Sequence, residues 1–392
     1  MSATRVESVE VRILEVPLSR AFWMSQQAYM TAGQVTVSIT TSDGLVGFGQ
    51  AHGNPMAEIA DHVRERLGPA LIGRSPWEVR SLWQEMFGLS NAGREEVTTG
   101  QPHFGTRGRY QLLAAIAAVD IALWDLRAQA AEQPLWRFLG AADARIPAYA
   151  TGGYYPNGDG DDPGIDQLLS EVASYVEMGM RAVKIKVGRD PAIDIKRVRA
   201  LREAYPDLRI KVDANGGWTL AETLHIAPAL KDLGVFWLEE PLQWHYGPTH
   251  YHRVRAEGGI PLAAGEQEMH QWGAMELVDS GHVSYLQTDA TRAGGLTAWM
   301  DAANYAHMRG VGVAPHHDGH IHGHYLATLS GEKYCETFPN AERDPLWHAL
   351  YTDKPTLADG HLTLSDRPGL GIELDHERLS AWTVMSHLVT RS

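Results

Sequence analysis

RAVKIKVG, residues 181–188, is the stretch on which the reading of this chain turns. Val183, Ile185 and Val187 alternate with Lys184 and Lys186, and Gly188 closes the run. Positions i and i+2 of a strand project to the same side, so two ammonium groups enter one space. Each pays a desolvation penalty there and repels the other, so an interior tolerates them only against opposing charge. That charge lies further along the chain.

From about residue 145, short apolar runs alternate with amphipathic ones. The strand candidates are IPAYATGG, AVKIKVG, RIKVDANG, VFWLEEP, PLAAGEQ, SYLQTD, VGVAPHH and KYCETF. Stretches such as PAIDIKRVRALREAYP and TLAETLHIAPALKDLG lie between them. Eight strands with helical crossovers predict a parallel β/α barrel, with the polar residues at the C-terminal strand ends where barrel enzymes keep their chemistry.

Three acids end three successive strands: Asp213 in KVDANG, Glu239 in WLEEP and Glu266 in AAGEQ, at spacings of 26 and 27 residues. Converging carboxylates repel unless a cation sits between them, and an all-oxygen set favours Mg²⁺ or Mn²⁺ over zinc. Asn215 falls on the same side as Asp213, whereas strand alternation turns Glu240 away and makes it structural. Asp289 in LQTDA and His316 in APHHDG lie 27 residues apart. A carboxylate beside an imidazole raises its basicity and fixes its tautomer. PHHDGHIHGH holds five histidines, at 316, 317, 320, 322 and 324, and reads either as a second metal site or as a solvated loop and helix start. Register after VGVAP selects His316 and turns His317 away; Glu336 in KYCETF completes the ring. A lysine crowded by a second cation has a depressed pKa and can serve as a base. Such a mouth can hold a carboxylate on a metal, take the proton from the adjacent carbon and stabilise the enediolate.

The whole chain sets the frame. It has 392 residues, 44% hydrophobic and 21% charged, which predicts two domains or a barrel with a satellite. A net charge of −14 disfavours nucleic-acid and anionic-membrane partners. Cys335 is the single cysteine, so no internal disulfide forms, which fits a reducing compartment. The N-terminal stretch has no signal-peptide core and no apolar run is long enough to span a bilayer, so a cytoplasmic protein is expected. VESVEVRILEV and QVTVSITTSDGLVGFGQ read as strands with Ser-Asp-Gly as a hairpin turn, and residues 57–140 as helices. The clearest helix is YQLLAAIAAVDIALWDLRAQAA, with a stop at Gly140. The expected division is an α+β capping domain at 1–142, the barrel at 143–348, and a segment at 349–392 that packs back on the cap.

The order KxK, DAN, EEP, GE, D, H, E resembles the enolase superfamily and, within it, the mandelate racemase subgroup. VDIALWDLRAQAAEQPLWRFLG, residues 119–140, is similar to the subgroup's cap-to-barrel helix, and PGLGIELD, residues 368–375, to its C-terminal return. The resemblance implies a modified (β/α)₇β TIM barrel under an α+β cap, with Mg²⁺ on Asp213, Glu239 and Glu266. It makes Lys186 the base on one face of the substrate and gives the carboxylate to Lys184. His316, paired with Asp289, becomes the acid or base on the other face, with His322 as its rival, and Glu336 bonds the carboxylate or enediolate. It also implies a homo-oligomer acting on a small-molecule carboxylate.

The family shares α-proton abstraction from a carboxylate. Reprotonation then gives racemisation or epimerisation, loss of a β-hydroxyl gives a 2-keto acid, and internal capture gives cycloisomerisation. The segments expected over the mouth are SRAFWMSQQAYMTAG (19–33), with Arg20, Trp23, Gln26 and Tyr29, and GQAHGNP (49–55), with His52. Gly152-Gly153-Tyr154-Tyr155 adds phenols, with Tyr155 taken as a substrate contact, and YATGGYYPNGDG (149–160) is similar to the tartrate dehydratase group. So many polar groups suit a sugar acid or diacid. The expectation is a dehydratase, a hydro-lyase, with racemase, epimerase or cycloisomerase as alternatives. An inactive ligand-binding barrel would show a broken ring, and a zinc hydrolase would carry HxH on the first barrel strand, where AYATGG has none.

Overall fold

The computed structural model describes residues 4–89, 106–158 and 162–391. Alternating apolar positions near the N-terminus build an antiparallel sheet in which Val6–Trp23 pairs with Ala28–Thr41, and that strand with Val46–Ala51. Val9, Val11, Val35, Val37 and Ile39 fill one face and are buried. The Ser-Asp-Gly turn forms as expected, closed by Thr41 N–H to Leu45 O at 2.9 Å and Gly44 N–H to Thr41 O at 2.8 Å. Residues 19–33, expected as a lid loop, are instead the far end of the first hairpin. Phe22 pairs with Tyr29 and Trp23 with Ala28, around a tip closed by Met24 N–H to Gln27 O. A fourth strand, Thr383–Thr390, lies antiparallel along Val6–Trp23.

Helix Thr106–Ala130 packs on this sheet. The approach is close because Gly47 and Gly49 carry no side chain: a Cβ on Gly49 would stand 1.9 Å from the Ala118 carbonyl oxygen. The same helix reaches the barrel through Asp120, which accepts from the Thr297 N–H and Oγ1 at 2.8 and 2.6 Å.

All eight predicted barrel strands are present: Arg145–Gly152, Ala182–Lys186, Arg209–Asp213, Leu238–Glu239, Leu262–Ala264, Tyr285–Leu286, Gly312–Val313 and Cys335–Thr337. Each runs parallel to the one before it, and the eighth pairs with the first. Hydrogen bonds from Val313 N–H to Glu332 O and from Tyr334 N–H to Val313 O close the ring between the seventh and eighth. Crossover helices start at well-formed caps: Asp190 caps Pro191–Ala204, and Thr219 with Glu222 forms a capping box on Leu220–Asp232. The hairpin Thr356–Ala358 and His361–Thr363 joins the other edge of the first barrel strand. Among the described residues no helix is long and apolar enough to cross a membrane.

Below the mouth the barrel is plugged by Tyr149, Trp237, Tyr285 and Tyr334 around the Lys211 ammonium. Its Nζ lies 3.6, 3.9 and 4.0 Å from the ring centres of Tyr149, Trp237 and Tyr334, and it has no hydrogen-bond partner. Burial, with Lys184 nearby, holds its pKa well below the usual lysine value.

Candidate active site

The strand Ala182–Lys186 does turn both lysines into the barrel, and both are buried. Lys184 Nζ donates to Glu239 Oε1 at 2.5 Å, lies 2.8 Å from Glu336 Oε1 and 3.6 Å from Asp213 Oδ2. Lys186 Nζ donates to Asp213 Oδ2 at 2.6 Å and Asn215 Oδ1 at 3.0 Å. The opposing charge inferred for RAVKIKVG is therefore in place, and it overturns one expectation. Burial pulls both lysine pKa values down, but the carboxylates outweigh it, and both lysines are raised rather than depressed. The reason is distance: in this structure each ammonium rests directly on a carboxylate.

Glu266 stands further along the rim, with His316 Nε2 at 3.7 Å from its Oε2 and Arg292 Nη1 at 3.8 Å from its Oε1. The His316 Nδ1 lies 2.9 Å from Asp289 Oδ2, the pairing expected from spacing. Asp289 is fully buried and fixed through its other oxygen by the Thr291 N–H and Oγ1. Burial alone would lower the imidazole; Glu266 and Asp289 reverse this and push it up to about 9. Glu336 accepts from Thr151 Oγ1 at 2.6 Å and from the His317 N–H at 2.8 Å.

Several expected contacts are corrected. Arg20 is engaged elsewhere, its Nε 3.2 Å from Glu342 and its guanidinium over the Phe22 ring. The Trp23 ring packs on Gly158 and Arg189, and its carbonyl accepts from the Tyr155 N–H, so it is wall rather than substrate contact. The Tyr155 hydroxyl is committed to Asp194 Oδ1 at 2.5 Å, and Tyr155 is buried. Gly153, at φ +61°, breaks the alternation, so Tyr154 is the phenol beside Lys186, which lies 5.8 Å over its ring. The last two residues of YATGGYYPNGDG lie outside the described residues. His322 is fully buried behind Asp289. Its Nε2 accepts from the Ala290 N–H at 2.9 Å, which leaves the proton on Nδ1 facing the His317 and Asp318 carbonyls. It supports the Asp289 loop and is no rival to His316. Glu240 and His317, read as turned away, sit past their strand ends in left-handed backbone, at φ +36° and +56°, where alternation no longer applies. Glu240 borders a hollow with Asn215, Gln267 and the Met24–Gln27 tip, and His317 borders another with His52, Asp318 and Glu336. Sequence reasoning missed Asp318, Arg292 and Thr151. Arg292 and Thr151 lie three and two residues from Asp289 and Tyr149, but no pattern marked them.

Comparison with known proteins follows the same outline. Residues 8–140 match the model for the mandelate racemase/muconate lactonizing enzyme N-terminal domain, and residues 167–378 the enolase C-terminal domain-like model. The chain belongs to the enolase superfamily. Within it, this mandelate racemase-type protein is similar to the arabinonate dehydratase of Saccharolobus solfataricus, at 30% identity over 86% of this chain and 87% of that one. It is also similar to the 3,6-anhydro-alpha-L-galactonate cycloisomerase of Streptomyces coelicolor, at 31% identity over 97% and 99%. The L-talarate/galactarate dehydratase of Salmonella typhimurium, solved with Mg and L-lyxarohydroxamate, superposes with a TM-score of 0.86 at 26% identity, covering all of this chain and 95% of that one.

The residues of this enolase-superfamily mouth suit the magnesium of such relatives. Asp213, Glu239, Glu240, Glu266 and Glu336 are all buried, against Lys184, Lys186 and the Arg292 guanidinium. Burial pushes Glu239 up to about 8, and Asp213, Glu336 and Glu266 add to it beyond what Lys184 offsets. An all-oxygen donor set short of positive charge fits a hard divalent cation.

Proposed function

We propose that the protein is a magnesium-dependent dehydratase of a sugar acid or sugar diacid. One observation carries the reading. Lys186 stands on the second strand and His316 just past the seventh, with two strands between them one way round the ring and four the other, and Asp289 reaches His316 from the end of the sixth. A carboxylate seated between them meets a proton-transfer group on each face. In this reading Asp213, Glu239 and Glu266 would hold Mg²⁺, which would supply positive charge to offset the negative charge that develops on the substrate. Lys184 and Glu336 set the carboxylate's position. Lys186, steadied by Asn215, or His316, oriented by Asp289, removes the α-proton. His316 protonates the departing β-hydroxyl. The Cα–H and Cβ–O bonds break, water leaves, and the enol tautomerises to a 2-keto-3-deoxy acid. Lys186, which rests on Asp213 in this structure, would act as a base once that carboxylate were shared with a cation.

The dehydratase relatives support this choice, and the cycloisomerase relatives favour internal capture as the second reading. The purified protein with Mg²⁺ is screened against mono- and diacid sugars for 2-keto acid. A hit on one sugar acid supports dehydration. Substrate α-proton exchange in D₂O with no keto acid from any member overturns it in favour of cycloisomerisation or epimerisation.

A further inference from the structure

Beside this mouth lies a second group of donors that the dehydratase reading leaves unused. His52 follows the cap strand Val46–Ala51, and His317 and Asp318 follow the seventh barrel strand. His52 Nε2 lies 2.8 Å from Asp318 Oδ2, and His317 Nδ1 3.2 Å from Asp318 Oδ1. One donor atom from each of the three lies within 4.8 Å of the others, the only such trio among the described residues.

These atoms face one another without bonding one another. His52 Nε2, His317 Nδ1 and Asp318 Oδ2 all lack a hydrogen-bond partner, although Asp318 is only 7% exposed. Two imidazole nitrogens and a carboxylate gathered this closely offer a cation its ligands. With metal–ligand bonds of about 2.1 Å, neighbouring ligand atoms stand roughly 3.0–3.4 Å apart, and the two histidine–carboxylate separations, 2.8 and 3.2 Å, lie near that range. Outer contacts hold the set: Gln50 Nε2 donates to Asp318 Oδ1 at 2.8 Å, and the His317 N–H is tied to Glu336. His317 and Asp318 are consecutive left-handed residues without being glycine, at φ +56° and +40°, a strained backbone that aims both side chains at His52.

We propose that His52, His317 and Asp318 bind a second divalent cation, of the zinc class, at the junction of cap and barrel. Two imidazoles and one carboxylate select a borderline ion over Mg²⁺, which the all-oxygen site takes. Three protein ligands leave a coordination position open to the hollow bordered by Glu336 and Phe338.

The test uses Co²⁺ as a spectroscopic probe, added to full-length protein held in excess Mg²⁺ and counted by equilibrium dialysis. The expected result is one Co²⁺ per chain with the strong visible absorption of a low-coordinate imidazole site, displaced by Zn²⁺. His52→Ala and His317→Ala are each expected to weaken it at least 10-fold, with circular dichroism confirming that both variants fold. The proposal is overturned if Co²⁺ shows only the weak absorption of an all-oxygen octahedral site. It is equally overturned if Co²⁺ binds both variants as tightly as the parent.

Discussion

Two histidines lie against Asp289, one near each oxygen, and they differ in what they can reach. His316 keeps its Nε2 toward the mouth, whereas His322 spends both nitrogens on backbone. Replacing His316 by Asn is expected to lower turnover by about 10²–10⁴-fold with the melting temperature little changed. His322→Ala is expected to lower the melting temperature first, since it orphans the Ala290 N–H; a stable, inactive His322→Ala protein would return the acid role to His322. Tyr155→Phe removes the donor from buried Asp194 and is expected to cost about 1–3 kcal/mol of stability in urea titration. Its KM should stay within a few-fold of the parent. These distinctions show what the sequence could carry. The gathering of Lys184, Lys186, Asp213, Glu239, Glu266, Asp289, His316 and Glu336 at one mouth was legible because strand period and β/α spacing put them in phase. Tyr154, Glu240 and His317 were misread because a left-handed residue at or just before each one resets the direction of the side chain, and alternation does not announce where that happens.

At the scale of elements, the helix Thr106–Ala130 ties the cap sheet to the barrel, and Asp120 is its polar joint. Burial pushes this carboxyl up to about 7, more than its Thr297 donors offset. The sign follows from the two states. Below about pH 4 the group is neutral whether folded or unfolded. Above that the unfolded chain ionises while the folded one stays protonated up to about 7, so Asp120 makes stability fall across that window. Denaturant midpoints at pH 4.5 and 7 should therefore fall less in Asp120→Asn than in the parent; equal slopes would show Asp120 ionised throughout. The helix itself was readable from its apolar run. Its partner face was not: the alternating glycines of GFG show their purpose only when the helix backbone is set on them. The lid was misjudged for a related reason, since a polar stretch such as SRAFWMSQQAYMTAG gains strand form from its neighbour rather than from its own pattern.

For the molecule as a whole, the barrel buries a third lysine: Lys211, the register partner of Lys184 on the next strand, sits in its ring cage. An amine with no hydrogen bond is a cost to the fold unless the rings repay it. Lys211→Met is expected to keep or raise the melting temperature; a fall of several degrees would mean that the aromatic faces hold a true cation. The order of elements and the ring of eight followed from period alone, but the caged lysine did not, because KVD reads simply as the approach to Asp213. The pairing of Thr383–Thr390 with Val6–Trp23 has a consequence for how the chain is made. Until residue 390 has left the ribosome, a strand made before the barrel waits with its edge bare, while the whole barrel is translated behind it. A nascent chain in that interval presents a ready template for other strands, so assembly of the cap is the step at which a chaperone has the most to protect.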